Sequence, residues 1–239
     1  MTESQDFTHT DLRGARFVEC DLSRVVMRGV DVGGADIDAP WLCEPGGTLF
    51  VNGVDVAPLV DAELDRRSPG RSLRRADSPD GLREAWAAVE GAWAATLARV
   101  DAMPPGTADV SVATEWTFAE TLRHLVMATD VWLGRGIHAL EQPFHPLGKP
   151  HTADADNPSF SISDPSYDEV LAVRAERQAM VRDHIEAVTP ELLREPRANP
   201  HNPERGETVC SCLHVILEEE WEHHRYAVRD LDAIASGGR

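Results

Sequence analysis

Between Leu217 and Arg225 the chain reads LEEEWEHHR. Carboxylates and imidazoles four residues apart share one face of a helix, so two pairs can ligate jointly: Glu219 with His223, and Glu220 with His224. Spacing fits both equally. With Leu213 as the core direction, steps of about 100° place Glu220 and His224 within about 20° of it, and Glu219 and His223 about 80° to 120° away. A second periodic segment offers His124, flanked by Leu122, Leu125 and Val126. Two neutral imidazoles and one carboxylate on facing helices make a three-ligand site with open positions, the arrangement of catalytic metal centres. The competing reading is a hydrogen-bonded core histidine and a solvated run of glutamates, and spacing does not choose between them.

Four long helices are available to position these residues. The first follows Ser78-Pro79, an N-cap and a proline at the first helical position, and carries Leu82, Trp86, Val89, Trp93 and Leu97 until MPPG stops it. Thr117 and Glu120 form a capping box for the second, which continues through Trp132 and Leu133. Ser166 and Glu169 open the third, and Thr208 opens the fourth. Four amphipathic helices predict a bundle. The connection from about Leu140 to Pro165 is long and rich in Pro, His and Asp, as functional loops often are.

Ahead of the helices, Phe7, Leu12, Phe17, Leu22, Met27, Val32 and Ile37 recur every fifth residue. The positions two before them include Ala15, Cys20, Val25, Val30 and Ala35, all small or apolar. This resembles the pentapeptide-repeat family, in which each repeat forms one side of a square right-handed β-helix with those residues filling its interior. Seven repeats make fewer than two coils, so the segment is expected to lean on the rest of the chain as a structural cap. TLFVNGVDVAPLV then suggests a hairpin or cover strand around Asn52-Gly53. DAELDRR reads as a short helical piece, and SPGRSLRRADS as an aperiodic linker. The expected domains are residues 1–75, a repeat cap with its linker, and residues 76–239, the bundle.

A formal charge of -18 over 239 residues opposes binding to nucleic acid or anionic lipid. No apolar run approaches the roughly 20 residues of a membrane span, and MTESQDFTHT lacks the pattern of a signal peptide, so a cytoplasmic location is expected. Cys20, Cys43, Cys210 and Cys212 form neither a disulfide framework nor paired zinc knuckles.

Trp116-Thr-Phe-Ala-Glu-Thr-Leu-Arg-His124-Leu resembles the entry to the second helix of the DinB-like four-helix metalloproteins. The similarity to an actinobacterial branch extends over nearly the whole chain, including the repeats, VNGVDVAPLVDAELDRR, HPLGKPH and EEWEHHRYAVRDLD. The resemblance implies a mainly α fold, a DinB-like four-helix bundle preceded by a short pentapeptide-repeat right-handed β-helix segment. It also implies a metal held by His124 and by a pair on the last helix. The branch resembling mycothiol-dependent isomerases uses Glu-x-Trp-x-His, which selects Glu219 and His223; Glu220 and His224 remain the alternative register.

That family relationship implies a metal-dependent mycothiol S-transferase or thiol-exchange enzyme acting on a small electrophilic or thioconjugated metabolite. Its expected cofactor is a divalent metal, zinc first, with nickel, iron or manganese as alternatives; mycothiol is the thiol substrate. His145 and His151, in the loop resembling the branch's lid, and Arg225, beside the ligands, are the candidate catalytic residues. Lys149 and Arg123 are further candidates for substrate contact. DinB-like bundles often dimerise, so a homodimer is among the expected partners. The alternative is a non-catalytic metal- or protein-binding module that uses the repeat segment for interaction.

Overall fold

Each long helix begins at a side chain that accepts a backbone N–H in its first turn. In a computed structural model describing residues 5–151 and 157–237, Ser78 Oγ accepts from Gly81, and Thr117, Ser166 and Thr208 accept from Glu120, Glu169 and Ser211. These caps start α2 (Pro79–Asp101), α3 (Phe118–Thr129), α4 (Tyr167–Ala187) and α6 (Val209–Ala235). All four lie where the capping residues and apolar spacing predict them.

The chain divides into two compact units, Met1–Ala39 and Pro40–Arg239. In the second, α2 contributes Leu82, Trp86, Val89 and Trp93 to the core, α3 Leu122 and Leu125, α4 Val170, Val181 and Ile185, and α6 Leu213, Ile216, Leu217 and Trp221. Helix α2 packs on α4 and α6, and α3 packs on the same two. The four thus form a bundle with α3 and α6 as neighbours, the contact on which the candidate site depends. Among the described residues no helix is long and apolar enough to cross a membrane.

Helix α3 does not end at Thr129 but widens into a π-helix, Asp130–Ile137, closed by His138 N–H donating to the Leu133 carbonyl at 2.9 Å. Apolar periodicity predicts a continuous α-helix here. The buried Asp130 explains the departure: its carboxylate accepts from Arg177 Nε of α4 at 2.6 Å and from the His145 N–H at 2.8 Å. Gly134 permits the close pass of the following loop, since a Cβ there would lie 2.5 Å from Pro143 Cβ.

Before the bundle, β1 (Phe50–Val51) and β2 (Val54–Asp55) form the expected hairpin, with Asn52 and Gly53 both at positive φ. It leads into α1 (Ala57–Arg67). Residues 68–78, basic and aperiodic in sequence, are not free chain: Arg71–Arg75 form a 3-10 turn in which Arg71 and Arg74 are buried. Arg71 pairs with Asp61 and Asp65, and Arg74 with Asp61 and Glu218, which ties α1 and this turn to α6. Between α4 and α6 lie α5 (Pro190–Leu193) and a second hairpin, β3 (Pro196–Ala198) with β4 (Gly206–Thr208).

In the first unit the period of five is written into the backbone. Positive φ recurs at His9, Gly14, Glu19, Arg24, Gly29 and Gly34, and turns close from Ala15 to Leu12, Val25 to Leu22 and Ala35 to Val32. The expectation of a filled interior is corrected: Phe17 is 58% and Leu22 47% exposed. With fewer than two coils, the repeat side chains lack the stacked neighbours that would cover them.

Candidate metal centre

His124 stands on α3 and Glu219 and His223 on α6, the neighbouring helix. One ligand atom from each residue lies within 4.8 Å of those of the other two. His124 Nε2 is 3.5 Å from Glu219 Oε2, His223 Nδ1 is 3.4 Å from the same oxygen, and the two imidazoles stack with centroids 4.5 Å apart.

Tautomers follow from the second contacts. His124 Nδ1 donates to the Lys149 carbonyl at 3.0 Å, and His223 Nδ1 donates to the Glu219 carbonyl one turn back at 2.9 Å. Each neutral ring therefore keeps the lone pair on Nε2, the usual consequence of a backbone carbonyl orienting a ligating histidine. Two such nitrogens and a carboxylate are all acceptors, a set that a cation satisfies and a hydrogen bond does not. The residues present thus fit a divalent metal.

The other register has different partners. Glu220 is 1% exposed and accepts from Arg174 Nη2 of α4 at 2.6 and 2.5 Å. His224 Nε2 lies 2.9 Å from Thr96 Oγ1, and its ring meets Trp93 and Trp221 edge-on. The helical wheel located the apolar core correctly, since both residues turn into it. The acceptor cluster sits at the rim of that core, one residue around the helix.

Electrostatics at the cluster are strongly polarised. Burial alone would raise the Glu219 carboxyl, but its contact with His124 and the potentials of His223, His124 and His151 outweigh burial and hold it at about 2. Burial, reinforced by His124, lowers His223 and favours its neutral form. Burial likewise raises the Glu220 carboxyl, with Arg174 opposing that shift.

The 144–151 loop is fastened over the site by Arg123, which donates to the carbonyls of Leu147, Ser163 and Ile162 at 2.9, 3.0 and 2.8 Å. Lys149 Nζ pairs with Glu120 at 2.9 Å. Arg123 and Lys149 are thus committed to the loop and to α3. Trp116 forms a wall, its ring 4.9 Å from that of His124 and 5.6 Å from that of His151. His151 is exposed with its ring 4.5 Å from His124. His145 is placed differently: its Nδ1 accepts from Leu147 N–H and its own N–H is given to Asp130. Arg225 pairs with Glu222 at 2.9 Å and lies over Tyr226.

The cluster opens on a cavity of about 290 Å³, near the lower limit for a small-molecule pocket. His124, Glu219 and His151 line one end; Met127, Val131, Trp132, Arg135, Phe144, Asn157, Phe160 and His201 extend it. Neither His145 nor Arg225 is in this wall. The spacing 124, 128, 131, 135 along one helix face was the available signal for Arg135, whereas Asn157 and His201 arrive from loops and left none.

Comparison with known families agrees with this architecture. The profile described as the DinB superfamily matches residues 88–227, and pentapeptide repeats match residues 6–38 in eight copies. No curated protein and no solved structure matches the chain.

Proposed function

The chain belongs to the DinB superfamily, which includes metal-dependent enzymes, and on that premise we propose that it is a metal-dependent thiol S-transferase or thiol-exchange enzyme. Its thiol substrate is mycothiol, and its acceptor a small electrophilic or thioconjugated metabolite. His124, Glu219 and His223 hold the divalent ion, zinc first among zinc, nickel, iron and manganese. Bound there, the ion supplies positive charge that lowers the pKa of a neighbouring thiol, since two neutral imidazoles and one carboxylate leave it net positive.

The protein's own groups do the rest. The Lys149 and Glu219 carbonyls fix the two imidazole tautomers. Trp116 and the loop fastened by Arg123 limit water access on one side. In thiol addition, sulfur bonds to the acceptor carbon and the thiol proton must be carried away; His151, exposed and beside His124, is placed to take and return it. His145 and Arg225 keep supporting roles, in the loop and on the surface of α6. The observation that carries this reading is the convergence of three acceptor atoms from two helices at the end of a cavity.

The test is incubation of zinc-loaded protein with mycothiol and a panel of electrophiles, with adducts read by mass spectrometry. Adducts that depend on metal and vanish on chelation are expected. Equal adduct formation with and without metal overturns the mechanism.

One observation favours a second reading, a binding module acting through its repeats: Phe7, Phe17, Val26 and Ile37 are each more than half exposed. On that reading the purified protein binds no mycothiol by calorimetry.

A further inference from the structure

Arg135 lines the cavity from the π-helix, and its position is chemically unusual in this chain. The sequence holds 41 acidic residues against 23 lysines and arginines. Arg71, Arg74, Arg174, Arg177 and Arg182 all pair with carboxylates. Arg135 forms no ion pair among the described residues. Its Nη2 makes one long hydrogen bond, 3.4 Å to the Glu141 carbonyl, and its Cζ lies 4.6 Å above the Phe144 ring. Phe144 is braced in turn by Phe160, ring centroids 5.5 Å apart. The stacking orients the guanidinium plane and leaves most of its N–H donors unused.

The rest of the wall defines a shape. Arg135 follows His124 by 11 positions, at most about 16 Å of axis at the α-helical rise, and the wider π-helix from Asp130 onward rises less per residue and shortens that span. Met127, Val131 and Phe160 form an apolar stretch between the two. Among the described lining residues Glu219 is the only carboxylate, and it belongs to the acceptor cluster at the opposite end. Elsewhere an acidic surface repels anions; among the described lining residues Arg135 is the guanidinium that can attract one.

We propose that the cavity selects an organic acid with an apolar, aryl-sized body: its carboxylate pairs with Arg135, its body lies along Met127, Val131 and Phe160, and its other end reaches His124 and Glu219. Only the assignment of the reacting end rests on the thiol-transfer reading; anion recognition by Arg135 stands apart from it.

The probes are 2-naphthylacetate and its neutral isostere 2-naphthylacetamide, measured by calorimetry on the full chain, both metal-free and zinc-loaded. The acid is expected to bind on the order of tenfold more tightly than the amide in both states, with the preference weakening as salt rises. Arg135→Gln brings the acid to the level of the amide, and Arg135→Lys keeps part of the preference. Arg135 is exposed, so these variants retain the fold, and unchanged helical circular dichroism checks it. Equal binding of acid and amide to the unaltered protein, no binding of either, or an undiminished preference in Arg135→Gln overturns the proposal. A preference confined to the zinc-loaded state also overturns it, because the metal and not Arg135 then holds the acid. Thiol transfer to carboxylate-bearing acceptors that is unaffected by Arg135→Gln removes this inference and leaves the functional reading standing. Acid binding through Arg135 without any thiol transfer does the reverse.

Discussion

Arg174 and Glu220 meet across the bundle at 2.5 Å, with side chains 3% and 1% exposed. Nε and Nη1 of Arg174 are buried without a hydrogen-bond partner, so the guanidinium depends heavily on this one carboxylate. The pair joins α4 to α6 and presents Glu219, the next residue back, to the cavity instead of the core. Removing one partner strands a buried charge: Arg174→Met should destabilise by about 3 to 5 kcal/mol in urea unfolding, and Arg174→Met with Glu220→Leu should recover much of that loss. A single variant as stable as the unaltered protein would show that the charge is hydrated.

Metal content separates the two glutamate and histidine registers. His124→Ala and His223→Ala should each lose tight zinc binding with helical circular dichroism largely preserved, because one of three ligands is gone. His224→Ala should keep its zinc and lose stability through the Thr96 contact and the two tryptophan edges. Zinc lost only in His224→Ala would establish the other register.

Support for the site from outside the ligands is concentrated in Arg123. Arg123→Ala frees three carbonyls of the 147–163 region and with them the segment that presents the Lys149 carbonyl to His124. Zinc affinity, measured by competition with a chelator, should fall by about 10- to 100-fold. An unchanged affinity would mean the loop holds its place without this residue.

Acid sensitivity has an identifiable contributor outside the candidate metal centre. Burial, assisted by His138 and Arg197, lowers His184 from 6.5 to about 4, and its Nε2 is buried without a partner. Between those values the unfolded chain takes the proton and the folded chain does not. The stability is therefore complete above about pH 6.5 and lost as pH falls toward 4, by at most about 3 kcal/mol. Burial raises Asp130 and Glu220, which act with the opposite sign, so the measurement is the difference between His184→Leu and the unaltered protein, both metal-free. That difference should grow in favour of the variant as the pH drops; a difference independent of pH would exclude His184 as the source.

The repeat segment should tolerate charge on its apolar positions. Phe17 is 58% exposed, so Phe17→Asp is expected to change the thermal stability of the full chain by no more than about 0.5 kcal/mol. A loss of several kcal/mol would show that Phe17 is covered in solution.

Local signals were enough for the helices, because a helix start is chemistry within four residues: Ser78, Thr117, Ser166 and Thr208 each cap from their own side chain. The Asn52-Gly53 turn was legible for the same reason, as both residues accept positive φ. His124 and the two Glu/His pairs were also visible as ligand types at helical spacing. Which pair joins His124 was not determined by spacing, since Glu219 and Glu220 are chemically identical neighbours on one helix. Their difference lies in what faces them, Arg174 from α4 for one and two imidazoles for the other. The π-helix was hidden because its cause, Asp130 held by Arg177, joins residues 47 positions apart. The burial of Arg71 and Arg74 likewise depends on carboxylates that folding brings to them. The chain's own residue order thus determined where elements begin, how they are capped and which side chains can ligate. Tertiary structure alone decided which acid meets which base, because the partner is supplied by another helix and no period along one chain records its arrival.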